Sequence, residues 1–393
     1  MRLLHVVPTY LPAWRHGGPI RAVHGLTRSL AARGHAVEVF TTDLHGPGRL
    51  DVPLGVPVDL DGVSVRYFPV RSLRRLAYAP AMRAAFAELS RFDVVHLHSV
   101  FLWPTLAAAR VAEKAGVPWM VAPRGMLVPE LIAARGRWRK TLWLRLFERR
   151  TIERAAGFHA TTEIEARDAR RLGLRLPSVF VVPNGVEAEP WSGDLEALAP
   201  AVRDLVSSPE PFVLALGRVN WKKGLDRLIE ALANVPRARL AIAGNDEEGL
   251  TPRLERLAAE GGVGERVRFL GPVDGADKAA LLTRCALLAM PSTSENFGNS
   301  LLEAMAAGRP VLTTPGVGLA LLVAEVGCGR VSPGDPESLG NALRELLADR
   351  PALDEMGRRG QAAAQERYGW PGLAERMEAV YREIATARSR APR

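Results

Sequence analysis

Short runs of β-branched and apolar residues recur along the chain, and each is followed by a segment with helical spacing. The runs cover residues 2–7, 36–42, 63–70, 94–99, 118–122, 157–161 and 179–182, then 212–216, 240–243, 267–270, 287–290 and 311–313. Strands alternating with helices build parallel sheets covered on both faces, because each parallel connection needs a crossover that packs back onto the sheet. Residues 21–32 are such a crossover: Val23, Leu26 and Leu30 fall on one helical face, and Gly34 ends it. The rhythm lapses over residues 187–210, where Pro190, Gly193, Pro200, Ser207, Ser208 and Pro209 cluster. A length of 393 residues also exceeds one ordinary core. The expected fold class is α/β with two doubly wound, Rossmann-like domains. They are placed at 1–190 and 211–370, with a linker at 191–210 and a C-terminal helix and tail at 371–393 packing back towards the first domain.

Hydrophobic residues make up 47% and charged residues 24%, which suits a folded protein and not a disordered one. The most apolar stretch, residues 100–109, contains Pro104 and Thr105 and falls short of the roughly 20 residues a spanning helix needs. The N-terminus reads as a first strand and not as a leader, so the chain is expected in the cytoplasm. Cys285 and Cys328 fit neither a disulfide framework nor a metal cluster. Charge is uneven: residues 1–195 carry 27 Lys and Arg against 17 Asp and Glu, a net +10, and the remainder carries −1. An anionic partner for the first half follows, whether nucleic acid, a membrane surface or a phosphorylated substrate.

No Gly-x-Gly-x-x-Gly or Walker-type loop is present, which disfavours dinucleotide and P-loop chemistry. After the strand at 212–216 comes Gly217-Arg218-Val219-Asn220-Trp221-Lys222-Lys223-Gly224. Arg218 offers a planar fork to phosphate oxygens, Lys223 adds a point charge, and the glycines allow close backbone approach at a helix start, so the loop suits a diphosphate. A solvated basic turn is the alternative. After the strand at 287–290, Glu295 sits in a loop and Glu303 about one turn into a helix starting near Asn299. A carboxylate can accept two hydroxyl hydrogen bonds, which suits a ribose diol or a sugar ring; two unrelated surface acids are the alternative.

These motifs resemble the glycosyltransferase family 4 group, also called group 1, the retaining nucleotide-sugar enzymes of GT-B fold. The resemblance rests on Glu295, Phe297-Gly298 and Glu303-Ala304-Met305, with Gly217-Arg218 and Lys223-Gly224 upstream in the same order and spacing. It covers nearly the whole chain and implies two domains facing each other across a cleft, with the donor held by the second. By the same resemblance Glu295 touches the transferred sugar, Phe297, Gly298 and Asn299 offer backbone amides to it, Glu303 holds the ribose, and Arg218 and Lys223 take the diphosphate. Gly17-Gly18-Pro19 resembles the glycine loop that lets the donor diphosphate approach, and His98, of His96-Leu97-His98, matches the active-site histidine. Pro123-Arg124-Gly125 resembles a segment of bacterial polysaccharide members in which Arg124 meets an acceptor or donor phosphate, and Asn184-Gly185 a structural turn. Departures occur at residues 244–249 and 314–319, where the usual loop patterns are absent.

Residues 135–150 hold six arginines, one lysine, Trp138, Trp143 and several leucines. This pattern suits a helix lying on an anionic bilayer, with a helix packed on its own domain as the alternative. Arg71, Arg74, Arg75 and Arg83 form a second basic patch. The reading is therefore a metal-independent, retaining glycosyltransferase without a cofactor. It moves a sugar from a nucleoside diphosphate sugar to a glycan or lipid-linked acceptor in bacterial polysaccharide synthesis, in the cytoplasm or peripherally on the inner face of the membrane. A nucleotide-sugar epimerase and a noncatalytic anionic-surface or nucleic-acid binder are the rivals; no RNA-binding sheet, zinc or helix-turn-helix pattern supports nucleic acid.

Overall fold

The computed structural model describes residues 1–13, 18–134, 137–187 and 191–390; Gly17, Arg135 and Gly136 lie outside the described residues. The strands are β1 (Arg2–Val6), β2 (Ala36–Thr42), β3 (Leu44–His45), β4 (Gly48–Arg49), β5 (Pro57–Leu60), β6 (Val63–Phe68), β7 (Val94–His98), β8 (Trp119–Ala122), β9 (Gly157–Ala160), β10 (Val179–Val181), β11 (Phe212–Leu216), β12 (Arg239–Ala243), β13 (Val267–Gly271), β14 (Leu287–Met290), β15 (Val311–Thr313) and β16 (Gly329–Val331). The chain divides into two compact units, Met1–Gly185 with Trp370–Arg393, and Val186–Gly369.

The first unit is built on an eight-stranded sheet of order β10-β9-β8-β7-β1-β2-β6-β5. All pairs are parallel except β5 with β6, a short antiparallel edge that the alternation did not announce. Buried residues of β1, β7 and β8 (Leu4, Val95, Leu97, Val121) join one side of the core, and Leu3, Val94 and Met120 join the other. Alternating strand residues thus feed opposite layers, as a sheet covered on both faces requires. The helix Gly18–Ala32 presents Ile20, Val23, Leu26 and Leu30 inward. Against this layer packs the helix Trp370–Arg390, whose Leu373, Met377, Tyr381 and Ile384 are buried at spacings of four, four and three. Trp370 fits because Gly25 has no side chain: a Cβ there would lie 2.2 Å from the indole.

The second unit carries a six-stranded, all-parallel sheet of order β13-β12-β11-β14-β15-β16. Its hydrophobic core differs from expectation at one end. The stretch read as a linker, 191–210, contains the helix Pro200–Ser207, and Leu198, Val202, Leu205 and Val206 are buried in the same core as Phe212 and Leu214. The prolines mislead because one of them, Pro200, starts the helix, where its missing N–H is harmless. Cys285 and Cys328 are buried and unbonded to each other.

Candidate active site

In an open α/β sheet the ligand crevice lies beyond the carboxyl ends of the strands, where the strand order reverses. In the second unit this point lies between β11 and β14. The loop after β11 turns back because the Asn220 side chain accepts from the Lys222 N–H at 3.1 Å, capping the single 3-10 turn Trp221–Lys223. The Thr293 N–H donates to the Lys222 carbonyl at 2.8 Å and ties this loop to the one after β14. Lys223 Nζ then donates to Glu295 Oε2 at 2.5 Å. Arg218 lies beside them and donates to Glu247 at 3.0 Å. Leu216, Gly217, Arg218, Lys223, Met290 and Pro291 line a recess at the strand ends.

The electrostatics of this corner are strongly coupled. Burial alone would raise the Glu295 carboxyl, but Lys223, Lys222 and Arg218 together hold it below the usual carboxylate range. Burial, with repulsion from Lys223 and Arg218, draws the Lys222 ammonium below its ordinary value, although Glu295 opposes the shift. Lys223 and Arg218 are each held by a carboxylate, Glu295 and Glu247, so an anionic ligand here would compete with these acids for the two cations.

Phe297 is buried in the core of the second unit. Gly298 adopts φ +101 as the cap of the helix Asn299–Ala306, and a Cβ there would come within 2.9 Å of Val317, so glycine is needed both for the turn and for the space. Ser300 in the first turn donates to the Leu216 carbonyl at 2.8 Å and fixes the helix N-terminus over the end of β11. Glu303 lies one turn further and accepts from Lys278 Nζ at 2.6 Å. Lys278, from the helix Gly275–Arg284, is itself buried. Its side chain was missed from the sequence because no motif surrounds it. The departing loop at 244–249 is also engaged: Glu247 holds Arg218, and Asp246 caps the next helix through the Leu250 and Thr251 N–H groups.

In the first unit the strand order reverses between β1 and β7. His98, the last residue of β7, is buried there, and Arg124 follows β8 with a left-handed φ of 57°. Arg124 donates to His98 Nδ1 at 3.1 to 3.3 Å and to Asn184 Oδ1 at 2.8 Å. Because guanidinium only donates, His98 Nδ1 bears the lone pair, and His98 Nε2–H donates to His5 Nδ1 at 2.9 Å. A parallel argument starts from the Val182 carbonyl, which must accept from His159 Nε2 at 2.8 Å. His159 Nδ1 therefore accepts from His96 Nε2 at 3.2 Å, and His96 Nδ1 accepts from the Tyr381 hydroxyl at 2.8 Å. Burial, reinforced by Arg124, depresses all four histidines, with His5 and His159 drawn down to about 3. They are neutral, so the positive charge in this cluster belongs to Arg124. Burial pulls Arg124 down to about 10, partly offset by Glu165 and Tyr381. Among the described residues no carboxylate reaches ion-pair distance of Arg124; Glu165 spends its oxygens on the Gly125 and Thr161 N–H groups.

Gly18 begins the helix Gly18–Ala32. Ligand nitrogens of His5, His96 and His98 lie within 4.8 Å of one another, close enough in principle for a metal ion. The hydrogen bonds above use the lone pair of each of the three imidazoles, and Arg124 adds a cation beside them, so this donor set does not fit a metal.

Residues 17–185 match the family described as Glycosyl transferase 4-like domain, and residues 203–363 match Glycosyl transferases group 1. The D-inositol 3-phosphate glycosyltransferase of Xylanimonas cellulosilytica is 30% identical, over 99% of this chain and 97% of its own. The phosphatidyl-myo-inositol mannosyltransferase of Mycobacterium leprae is 30% identical over 95% of each chain. Among solved structures, sucrose-phosphate synthase from Thermosynechococcus elongatus superposes with a TM-score of 0.75 at 22% identity, covering 98% of this chain and 99% of that one. Anabaena HepE in complex with UDP and glucose superposes with a TM-score of 0.72 at 20% identity, covering 98% and 100%. Both halves of the sequence, and the paired Rossmann-like architecture they fold into, place the chain in the group 1 glycosyl transferases of GT-B fold.

Proposed function

We propose that this glycosyltransferase takes its sugar from a nucleoside diphosphate donor held at the carboxyl ends of β11 and β14 and transfers it with retention, without a metal or cofactor. The observation that carries this reading is the Lys223–Glu295 pair, set beside Arg218 at the reversal of strand order. Lys223 donates to Glu295. A diphosphate would take Lys223 and Arg218 and release Glu295 to accept from hydroxyls of the transferred sugar. As the bond to the diphosphate breaks, negative charge grows on its oxygens, where Lys223 and Arg218 stabilise it most. The acceptor hydroxyl attacks from the same face and its proton leaves with the diphosphate, so no enzyme nucleophile is required. Glu303 would hold the ribose, and Phe297, Gly298 and Asn299 would bring backbone amides to the sugar. Gly17 and Gly18 would give the diphosphate room.

On the acceptor side, Arg124 is a largely enclosed cation with neutral partners, which favours an acceptor bearing phosphate or another anion; His98 would keep the guanidinium aimed. A glycan or lipid-linked glycan hydroxyl in bacterial polysaccharide synthesis, reached from the inner face of the membrane, is the acceptor we favour. The names of the curated relatives support a second reading, a phosphorylated inositol acceptor.

Incubation with a panel of nucleoside diphosphate sugars, followed by mass spectrometry with and without acceptor, tests the reaction. Transfer requires both substrates, whereas an epimerised sugar formed from donor alone would establish the rival chemistry. Lys223→Ala and Glu303→Ala should each lower turnover about 100-fold or more; near-normal turnover in both would refute the site.

A further inference from the structure

The cations of the two units are held in different ways. Lys223 and Arg218 each donate to a carboxylate, whereas Arg124 donates to two neutral side chains, His98 and Asn184. Of the five N–H groups of a guanidinium, Nε–H and one on Nη2 meet His98 Nδ1, and one on Nη1 meets Asn184 Oδ1. One N–H on each terminal nitrogen is left over. Arg124 is partly exposed, at the carboxyl end of β8. Enclosing a cation without an acid is costly, and a carboxylate in place of the Asn184 amide would offset that cost.

The placement of this cation is over-determined. Its left-handed φ of 57° is a strained conformation for so large a residue, and the next N–H, that of Gly125, is tied to Glu165 Oε1 at 2.6 Å. Asn184 lies just beyond β10 and is 7% exposed. Its segment is pinned on both sides. The Val182 N–H donates to the Ala160 carbonyl at 3.0 Å, and the Val182 carbonyl ends the hydrogen-bonded chain that starts at Tyr381 and runs through His96 and His159. Gly185 sits under Trp370, where a Cβ would come within 2.5 Å of the indole. Because a guanidinium only donates, the amide oxygen of Asn184 faces it, and that oxygen accepts without bringing a charge.

The geometry points to Asn184 as a positioning residue that aims Arg124 at an oxyanion of the acceptor while leaving its charge uncancelled. The Tyr381–His96–His159 chain, for which the proposed reaction has no other use, fixes the amide by holding Val182. An aspartate would make the same hydrogen bond but occupy the cation, as Glu295 occupies Lys223. The inference rests on the reading above that Arg124 receives an anionic group of the acceptor.

The test is equilibrium dialysis of the full chain against radiolabelled inorganic phosphate at low ionic strength. It is run in an Arg218→Ala/Lys223→Ala background, so that the donor loop does not contribute. Phosphate should bind there, and Arg124→Gln should abolish the binding. Asn184→Asp should weaken it about tenfold or more, and Asn184→Ala, which loses the aim but keeps the charge, should weaken it less. Melting temperatures without phosphate should rank the other way, with Asn184→Asp above Asn184→Ala, because only the acid pairs with the cation. A merely structural asparagine would rank stability and binding alike, and that result overturns the inference. Undiminished phosphate binding in Asn184→Asp overturns it while leaving Arg124 as the anion's receiver. No phosphate binding in the background chain, or binding that survives Arg124→Gln, overturns it together with that reading of Arg124.

Discussion

Lys278 shows why a site residue can be invisible in a sequence. It lies 25 positions before Glu303 on a different helix, Gly275–Arg284, whose sequence carries no recognisable ligand motif, and only packing brings its ammonium to 2.6 Å from the carboxylate. Glu295 and Lys223, by contrast, follow strands directly and sit in recognisable loops, so topology and motif point to the same place. The histidine pair was visible through alternation along β7, but His5, His159 and Tyr381, which complete its hydrogen bonds, come from β1, β9 and the last helix. Lys278 donates to one oxygen of Glu303 and leaves the other for the diol proposed as its ligand. Lys278→Met should therefore raise the donor KM about tenfold with kcat little changed, since an interaction made equally in ground and transition states is lost. Lys278→Arg should recover most of the affinity. A lowered melting temperature with an unchanged KM would make the lysine structural only.

At the scale of elements, the four buried, neutral histidines form two hydrogen-bonded chains in ring contact with each other, and together they link three parallel strands to the C-terminal helix. Tyr381 donates into one chain and Arg124 into the other, and among the described residues no acidic side chain is hydrogen-bonded to these histidines. The sign of its pH dependence follows from the depressed values. In the unfolded chain each histidine takes up a proton near pH 6.5, whereas natively His5 and His159 do so only at about 3. The network's contribution is thus fully present above pH 6.5 and is lost as pH falls towards 3, by about 1.4 kcal/mol per pH unit for each histidine once well below 6.5. Denaturant unfolding between pH 6 and 4.5 measures this directly. His5→Asn should reduce the slope of stability against pH by about one proton, and an identical slope would mean that His5 is charged in the native state. The strands themselves were legible because β-branched runs bounded by turns have few alternatives. The short edges β5 and β16 were not, since Pro57–Leu60 and Gly329–Val331 carry too few apolar residues to stand out.

For the whole molecule, the chain leaves the first unit at Gly185 and re-enters it at Trp370, so the two units differ in how they depend on continuity. Val186–Gly369 is one uninterrupted stretch; the Val186 N–H donates to the Tyr368 carbonyl at 2.9 Å, which brings its two ends together within the unit. It carries its own sheet and cores, and expressed alone it should melt cooperatively. The first unit lacks that autonomy. Its layer beside the helix Gly18–Ala32 is closed by Trp370, Leu373, Met377, Tyr381 and Ile384, and Glu378 is paired with Arg33 at 2.7 Å. Removing one such large side chain from a core costs about 3 to 5 kcal/mol, so Trp370→Ala alone should consume a large share of a domain's stability. Residues 1–185 expressed without the helix should therefore show exposed apolar surface and no sharp transition. Joining residues 370–393 to them through a flexible linker should restore cooperative melting. A cooperative transition for 1–185 at the temperature of the joined form would show that the last helix is an appendage and that the first core is complete without it.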